Sequence, residues 1–248
     1  MISLEDKLSF DRDGFVIKEG VFAPEEVEIL LRAAQTQERV KSARGMLDRE
    51  GRPSRISLST QFTEDVWGHL SRMPRVVRGA EILLGEEVYH WHSKIMIKDA
   101  RAGGAWEWHQ DYGYWYHDDP PFPRLISAML AITDADRQNG CLRVLKGSHL
   151  CGRIEHSRVS GQSGADLERV KALLERLPVG DCELRSGSLL FFHCNLLHSS
   201  EPNLSDRPRL SYICCYNALS NPPLTKPGHG PCTPIQLAED NLEAWRTL

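Results

Sequence analysis

The chain has 248 residues, 41% of them hydrophobic and 26% charged, which is enough for one substantial core or two small ones. Thirty Lys and Arg against 34 Asp and Glu leave a formal net charge of −4, so there is no overall pull toward nucleic acid or anionic lipid. The absence of heptads, Gly-X-Y repeats and long apolar runs argues against coiled coil, collagen and a membrane-spanning helix.

The opening MISLEDKLSFDRDGF carries acids where a secretory leader needs a basic and then an apolar stretch. Pro24 opens a predicted helix. Glu25 and Glu26 lie in its first turn, and Val27, Leu30, Leu31 and Ala34 form one apolar face. From Arg39 to Arg55 six cations (Arg39, Lys41, Arg44, Arg49, Arg52, Arg55) face two acids (Asp48, Glu50). The stretch has no helical period and reads as a loop or lid. A second helical region is predicted from Glu64 to Leu84, stopped by Gly85.

Beyond residue 86 the pattern is one of short strands, predicted at 87–98, 105–112, 125–133, 141–145, 179–185, 188–193 and 209–217. Asn139-Gly140 and Lys146-Gly147 mark turns between them. One helix interrupts at about 165–177, with Leu167, Val170, Leu173, Leu174 and Leu177 at helical spacing. Asn221 to Pro231 holds four prolines and two glycines and reads as an irregular cover. The expected class is a single α+β domain with a β-sandwich or jelly-roll centre. Its expected parts are a helical segment to about 85, the core over 86–218 and a cover over 219–248. Seven cysteines with no C-x-x-C pair suggest reduced, mostly buried thiols and a cytoplasmic setting.

The sharpest local feature is Trp108-His109-Gln110-Asp111. On a strand, i and i+2 share a face, so His109 and Asp111 would offer an imidazole and a carboxylate side by side. His198 follows a later apolar strand. Two His and one carboxylate with open positions suit non-haem Fe(II), although His-x-Asp alone arises by chance and zinc accepts the same set. Arg209, eleven residues after His198, opens a strand where a buried guanidinium would grip the far carboxylate of a dicarboxylic acid. Ser200 is placed to donate to the same group.

His109-x-Asp111, the distant His198 and then Arg209 together resemble the phytanoyl-CoA dioxygenase superfamily of Fe(II)/2-oxoglutarate oxygenases, which includes ectoine hydroxylase. FDRDGFVIKEGVFAPEEV (10–27), NGCLRVLKGSH (139–149), GSLLFFHCNLLHSSEPN (187–203) and RPRLSYICCYN are similar to its segments in order and spacing. The resemblance implies a double-stranded β-helix (a jelly-roll or cupin-like core) with flanking helices. It makes His109, Asp111 and His198 the iron ligands and pairs Arg209, with Ser200, with the 2-oxoglutarate C5 carboxylate. Lys94 matches a polar co-substrate contact and Trp115 an aromatic pocket wall. Since Asp111 fills the position that is Ala or Gly in the related halogenases, the implied outcome is hydroxylation or a related oxidation that uses O2 and releases succinate and CO2.

Other polar residues have competing assignments. His90 and His92 sit at i and i+2 but lack a carboxylate companion, and His193 ends an apolar strand where packing suits it. His117 with Asp118 and Asp119 reads as pocket rim. The run Tyr112, Tyr114, Trp115, Tyr116 reads as pocket lining or core. Arg44 or Arg55 would meet an acidic group of the substrate if the basic stretch is a lid. The expected substrate is a small polar metabolite, an amino acid or natural-product intermediate. A metal-dependent hydrolase or isomerase on a cupin-like barrel and a non-catalytic binding module are the rival classes.

Overall fold

The structure, a computed structural model, describes residues 2–159, 162–225 and 230–246, without the side chains of Arg39, Arg44 and Val159. His229, in the predicted cover, lies outside the described residues.

Helix α1 (Leu4–Asp13) begins on Ser3, which accepts from the Asp6 N–H while Asp6 caps Ser3 in return. It ends on Gly14 at φ 85°, a left-handed position that suits glycine. Strand β1 (Phe15–Lys18) and helix α2 (Pro24–Thr36) follow. Helix α2 buries Val27, Leu30, Ala33 and Ala34, close to the predicted face.

The basic stretch departs from expectation. It forms a short helix α3 (Glu38–Lys41) and a hairpin of β2 (Arg44–Leu47) and β3 (Pro53–Ser59). The turn is built by Asp48, whose Oδ1 accepts from the Glu50 and Arg52 N–H groups. Charges on the solvated face of this edge hairpin hide its period in the sequence.

The predicted helix over 64–84 is two helices, α4 (Val66–Leu70) and α5 (Pro74–Leu84). The ring of Pro74 pushes Met73 out of helical backbone, to ψ 134°.

The remaining strands are β4 (Val88–Lys98), β5 (Trp106–His109), β6 (Leu125–Ala131), β7 (Leu142–Leu145), β8 (His156–Val159), β9 (Gln162–Ala165), β10 (Val179–Cys182), β11 (Leu189–His193), β12 (His198–Ser200) and β13 (Arg209–Ala218). Helices α6 (Asp111–Trp115) and α7 (Leu167–Leu174) interrupt them. One antiparallel sheet runs β1-β11-β6-β13-β4-β3-β2 and a second runs β10-β7-β12-β5. Together they form the jelly-roll core.

Strand alternation separates two apolar layers. Leu210, Tyr212 and Cys214 of β13 join the cluster that packs under the helices. Ile213 and Cys215 join the cluster between the sheets, and Arg209 faces the same interior. The functional side chains gather in that interior. Among the described residues no helix is long and apolar enough to cross a membrane.

Candidate metal centre and active site

Strand β5 ends at His109, and Gln110 is the N-cap of α6. Asp111 is therefore the first residue of a short helix, not the third position of a strand pattern as expected. Its carboxylate still lies beside His109, because the chain turns immediately after the imidazole. The helical geometry also sorts the aromatic run. Asp111, Tyr114 and Trp115 fall at i, i+3 and i+4, on one face, and all three line the interior cavity. Tyr112 points away, buried in the core with its hydroxyl donating to the Pro120 carbonyl at 3.0 Å.

His198 opens β12 directly opposite His109 in the sheet register. The two ring centroids are 4.1 Å apart. One ligand atom from each of His109, Asp111 and His198 falls within 4.8 Å of the others, and all three residues are buried. This is the one such group of three among the described residues.

Each imidazole is oriented by backbone. His109 Nδ1 lies 2.7 Å from the Glu107 carbonyl, and His198 Nδ1 lies 2.9 Å from the Leu196 carbonyl. A carbonyl only accepts, so Nδ1 carries the proton and Nε2 keeps its lone pair for a metal. Burial holds His109 well below the ordinary imidazole range and His198 below it, so both rings are neutral.

Asp111 shows the opposite balance. Burial alone would raise its carboxyl, but Lys94, His198, His109 and the Ser127 hydroxyl together hold it well below the usual carboxylate range. Lys94 Nζ stands 3.6 Å from Asp111 Oδ1, and Ser127 Oγ donates to Oδ2 at 2.9 Å. Two neutral nitrogens and one carboxylate oxygen are a donor set that suits Fe(II).

The cavity beside these residues has a volume of about 210 Å³. Ile56, Met96, Met129, Leu142, Phe192 and Ile213 supply apolar wall, and Trp106, Tyr114 and Trp115 the aromatic wall. Arg209 and Ser200 line the same space. The Arg209 guanidinium is buried and donates through Nη1 to the Gly140 carbonyl, while its Nε finds no partner among the described residues. Burial lowers its pKa to about 10, which leaves it charged at neutral pH. A buried cation with an orphaned donor is the complement of a carboxylate that is itself out of water.

Residues 10–211 match the family model described as phytanoyl-CoA dioxygenase (PhyH). The chain belongs to the phytanoyl-CoA dioxygenase family. It is 29% identical over 245 residues to the ectoine dioxygenase of Bordetella bronchiseptica, covering 92% of this chain and 79% of that one. It is 28% identical over 236 residues to the L-proline trans-4-hydroxylase of Streptomyces griseoviridis, covering 89% and 88%. Among solved structures, EctD from S. alaskensis with bound Fe superposes with a TM-score of 0.80 at 25% identity, covering 96% of this chain and 88% of that one. Like these relatives, the chain is a 2-oxoglutarate-dependent dioxygenase, with Fe(II), 2-oxoglutarate and O2 as its cofactor and co-substrates.

Several expected contacts lie elsewhere. Arg55 does not face the cavity. Its neighbour Ile56 does, and strand alternation turns Arg55 outward, where it holds Asp99 through Nε and Nη2 at 2.8 Å each. The side chain of Arg44 lies outside the described residues. His117 is exposed, on the short 3-10 turn Tyr116–Asp118. His193 packs against His149, ring centroids 5.4 Å apart, and its Nδ1 accepts from the Asn195 N–H at 3.0 Å.

Sequence reasoning passed over three residues. Trp106 has an indole N–H buried in the wall with no partner among the described residues. Ser127 steadies Asp111 from the neighbouring strand β6. Lys98 lies behind Arg209, buried. Burial and the nearby Arg209 charge push the Lys98 ammonium well below its ordinary pKa, against the opposing pull of Glu201 and Asp48. No local pattern distinguishes Trp106 or Ser127 from ordinary strand residues. Only Lys98 carried any signal, as an unmatched cation in an apolar strand.

Proposed function

We propose that His109, Asp111 and His198 hold the iron, that Arg209 and Ser200 hold the C5 carboxylate of 2-oxoglutarate, and that the substrate is a small polar metabolite. The carrying observation is that three convergent ligand atoms share one cavity with a buried guanidinium whose Nε has no partner among the described residues. When bound, iron with 2-oxoglutarate and O2 supplies the oxidation of a substrate C–H to C–OH, with release of succinate and CO2.

The residues supply everything around that chemistry. The Glu107 and Leu196 carbonyls keep both imidazoles turned with Nε2 toward the centre. Lys94 and Ser127 keep Asp111 ionised and its oxygens oriented. Trp115, its ring edge-on to His92 with centroids 5.2 Å apart, and Tyr114 wall the space against water. The Trp106 N–H, which has no partner among the described residues, is a donor for an acceptor group on the substrate. These positioned groups limit what can sit near the metal and in which orientation.

Size supports the substrate class. A cavity of about 210 Å³ is smaller than the ~300–1,000 Å³ of ordinary ligand sites, and the co-substrate takes part of it. That leaves room for a compact molecule. The activities that the relatives' names print, on ectoine and on L-proline, make a cyclic amino acid the first class to try. The seven cysteines are unpaired, in keeping with a reducing compartment, and we infer a cytoplasmic location.

The test is anaerobic reconstitution with Fe(II), then 2-oxoglutarate, then a panel of cyclic amino acids under O2. One iron per chain, a visible absorption band on adding 2-oxoglutarate, and substrate-dependent succinate are the expected results. Iron uptake undiminished by removing Asp111 would overturn the ligand assignment.

A further inference from the structure

Lys98 is the last residue of β4 and is only 1% exposed. A lysine so buried ordinarily answers a carboxylate or a ligand. Its ammonium instead donates to two neutral oxygens, Ser200 Oγ at 2.7 Å and the Glu201 carbonyl at 2.5 Å. In register it stands opposite Arg209. Among the described residues neither cation makes an ion pair with a carboxylate. Gly140 closes over the pair at φ +74°. A Cβ there would come 2.2 Å from the Glu201 carbonyl and 3.2 Å from Lys98 Nζ. The bare Gly140 backbone thus leaves Lys98 Nζ room beside the Glu201 carbonyl, where it also reaches Ser200 Oγ.

Lys98 Nζ donates to Ser200 Oγ as it does to the Glu201 carbonyl, so Oγ acts as acceptor toward Lys98 and its own proton must point elsewhere. No acceptor for that proton is found among the described residues, and Ser200 lines the cavity beside Arg209. Lys98 does not line it. We propose that Lys98 is a positioning residue for the co-substrate: by donating to Ser200 Oγ it turns the Ser200 hydroxyl proton into the cavity, where that proton and the Arg209 guanidinium receive the C5 carboxylate. The inference rests on the placement of 2-oxoglutarate proposed above.

The test uses the Fe(II)-loaded protein under anaerobic conditions and reads equilibrium affinity from the absorption band of the chelated keto acid. Two acids are titrated: 2-oxoglutarate, and 2-oxopentanoate, which has the same chain but no distal carboxylate. Lys98→Met is expected to weaken 2-oxoglutarate binding about tenfold or more and to leave 2-oxopentanoate unchanged. In a Ser200→Ala background the same substitution should cost less than about twofold, because the two residues act as one unit. Unchanged 2-oxoglutarate affinity, an equal loss for both acids, or a full additive loss on top of Ser200→Ala would each overturn the proposal. If Lys98→Met does not fold, Ser200→Ala alone must show the selective loss, and its absence overturns the donor chain. No band with either acid in the unsubstituted protein would overturn the co-substrate placement itself. A band of equal affinity for both acids there would overturn only the carboxylate cradle, and Lys98 with it.

Discussion

His109 and His198 are held by the same local device: each gives its Nδ1 proton to the carbonyl two residues earlier in its own chain, Glu107 and Leu196. Opposed across one antiparallel pair, the two rings turn the same nitrogen to the same point. The backbone thereby does the work that a buried carboxylate does in many metal sites. No second acid is needed, and the centre keeps a single negative charge, on Asp111.

That single charge makes Asp111 and its support the sensitive part. Asp111→Ala is expected to abolish tight iron binding and turnover. Ser127→Ala removes the hydrogen bond to Oδ2, together with a weaker contact to Cys215 Sγ, and should cost about 10–100-fold in metal affinity, as outer partners of ligands commonly do. Metal titration of both variants checks this, and an unaltered Ser127→Ala affinity would show the hydroxyl to be idle.

Arg209→Ala should weaken 2-oxoglutarate binding by about 1.5–3 kcal/mol for each charged hydrogen bond lost. Arg209→Lys should rescue little. An ammonium lacks the planar fork that meets the Gly140 carbonyl while leaving further N–H donors for a second group. Isothermal titration of the metal-loaded protein measures both, and full rescue by Lys would argue for charge alone.

His193 gives a pH prediction. Burial, with His149 nearby, lowers its pKa from the ordinary 6.5 to about 3. Between those values the unfolded chain binds a proton that the native chain refuses. Stability therefore falls as the pH drops below 6.5, by about 1.4 kcal/mol per pH unit from this residue, and the loss levels off near pH 3. His193→Gln should retain one iron per chain and flatten the acid limb by about that slope. Urea unfolding at pH 6 and pH 5 is the measurement. Loss of iron would move the third ligand to His193.

Gly113→Ala sets two effects against each other. Alanine favours a helix over glycine by about 1 kcal/mol. In α6, however, the new Cβ would come 2.0 Å from His156 Cε1. That ring is locked on both sides, Nε2 accepting from the Gln110 N–H and Nδ1 facing the Ile154 carbonyl. It cannot step aside, so overpacking of about 1–3 kcal/mol should win. Its displacement would also disturb Tyr114, ring centroids 5.3 Å away, on the cavity wall. A lower melting temperature is expected, and a higher one would show that His156 yields freely.

The sequence by itself determined what local chemistry and period can carry. The strands of the core, the residues His109, Asp111 and His198, and Arg209 at a strand start are legible because alternation and spacing are properties of adjacent residues. What crosses the chain was decided only by tertiary structure. Asp111 reads as strand and is helix, because the interior needs the chain to turn at Gln110. Arg55 reads as a lid cation and is a residue of β3, paired between β4 and β2 and bound to Asp99, because the hairpin adds to the sheet along β4. Lys98 has no role in the sequence reading, where it is one cation at the end of a predicted strand. It becomes a buried neighbour of Arg209 and Ser200 because β13 pairs along its whole length with β4 and Ser200 packs over the end of that pair. Burial is set by which distant segments meet, and the free energy of a charge depends on burial more than on its place in the chain.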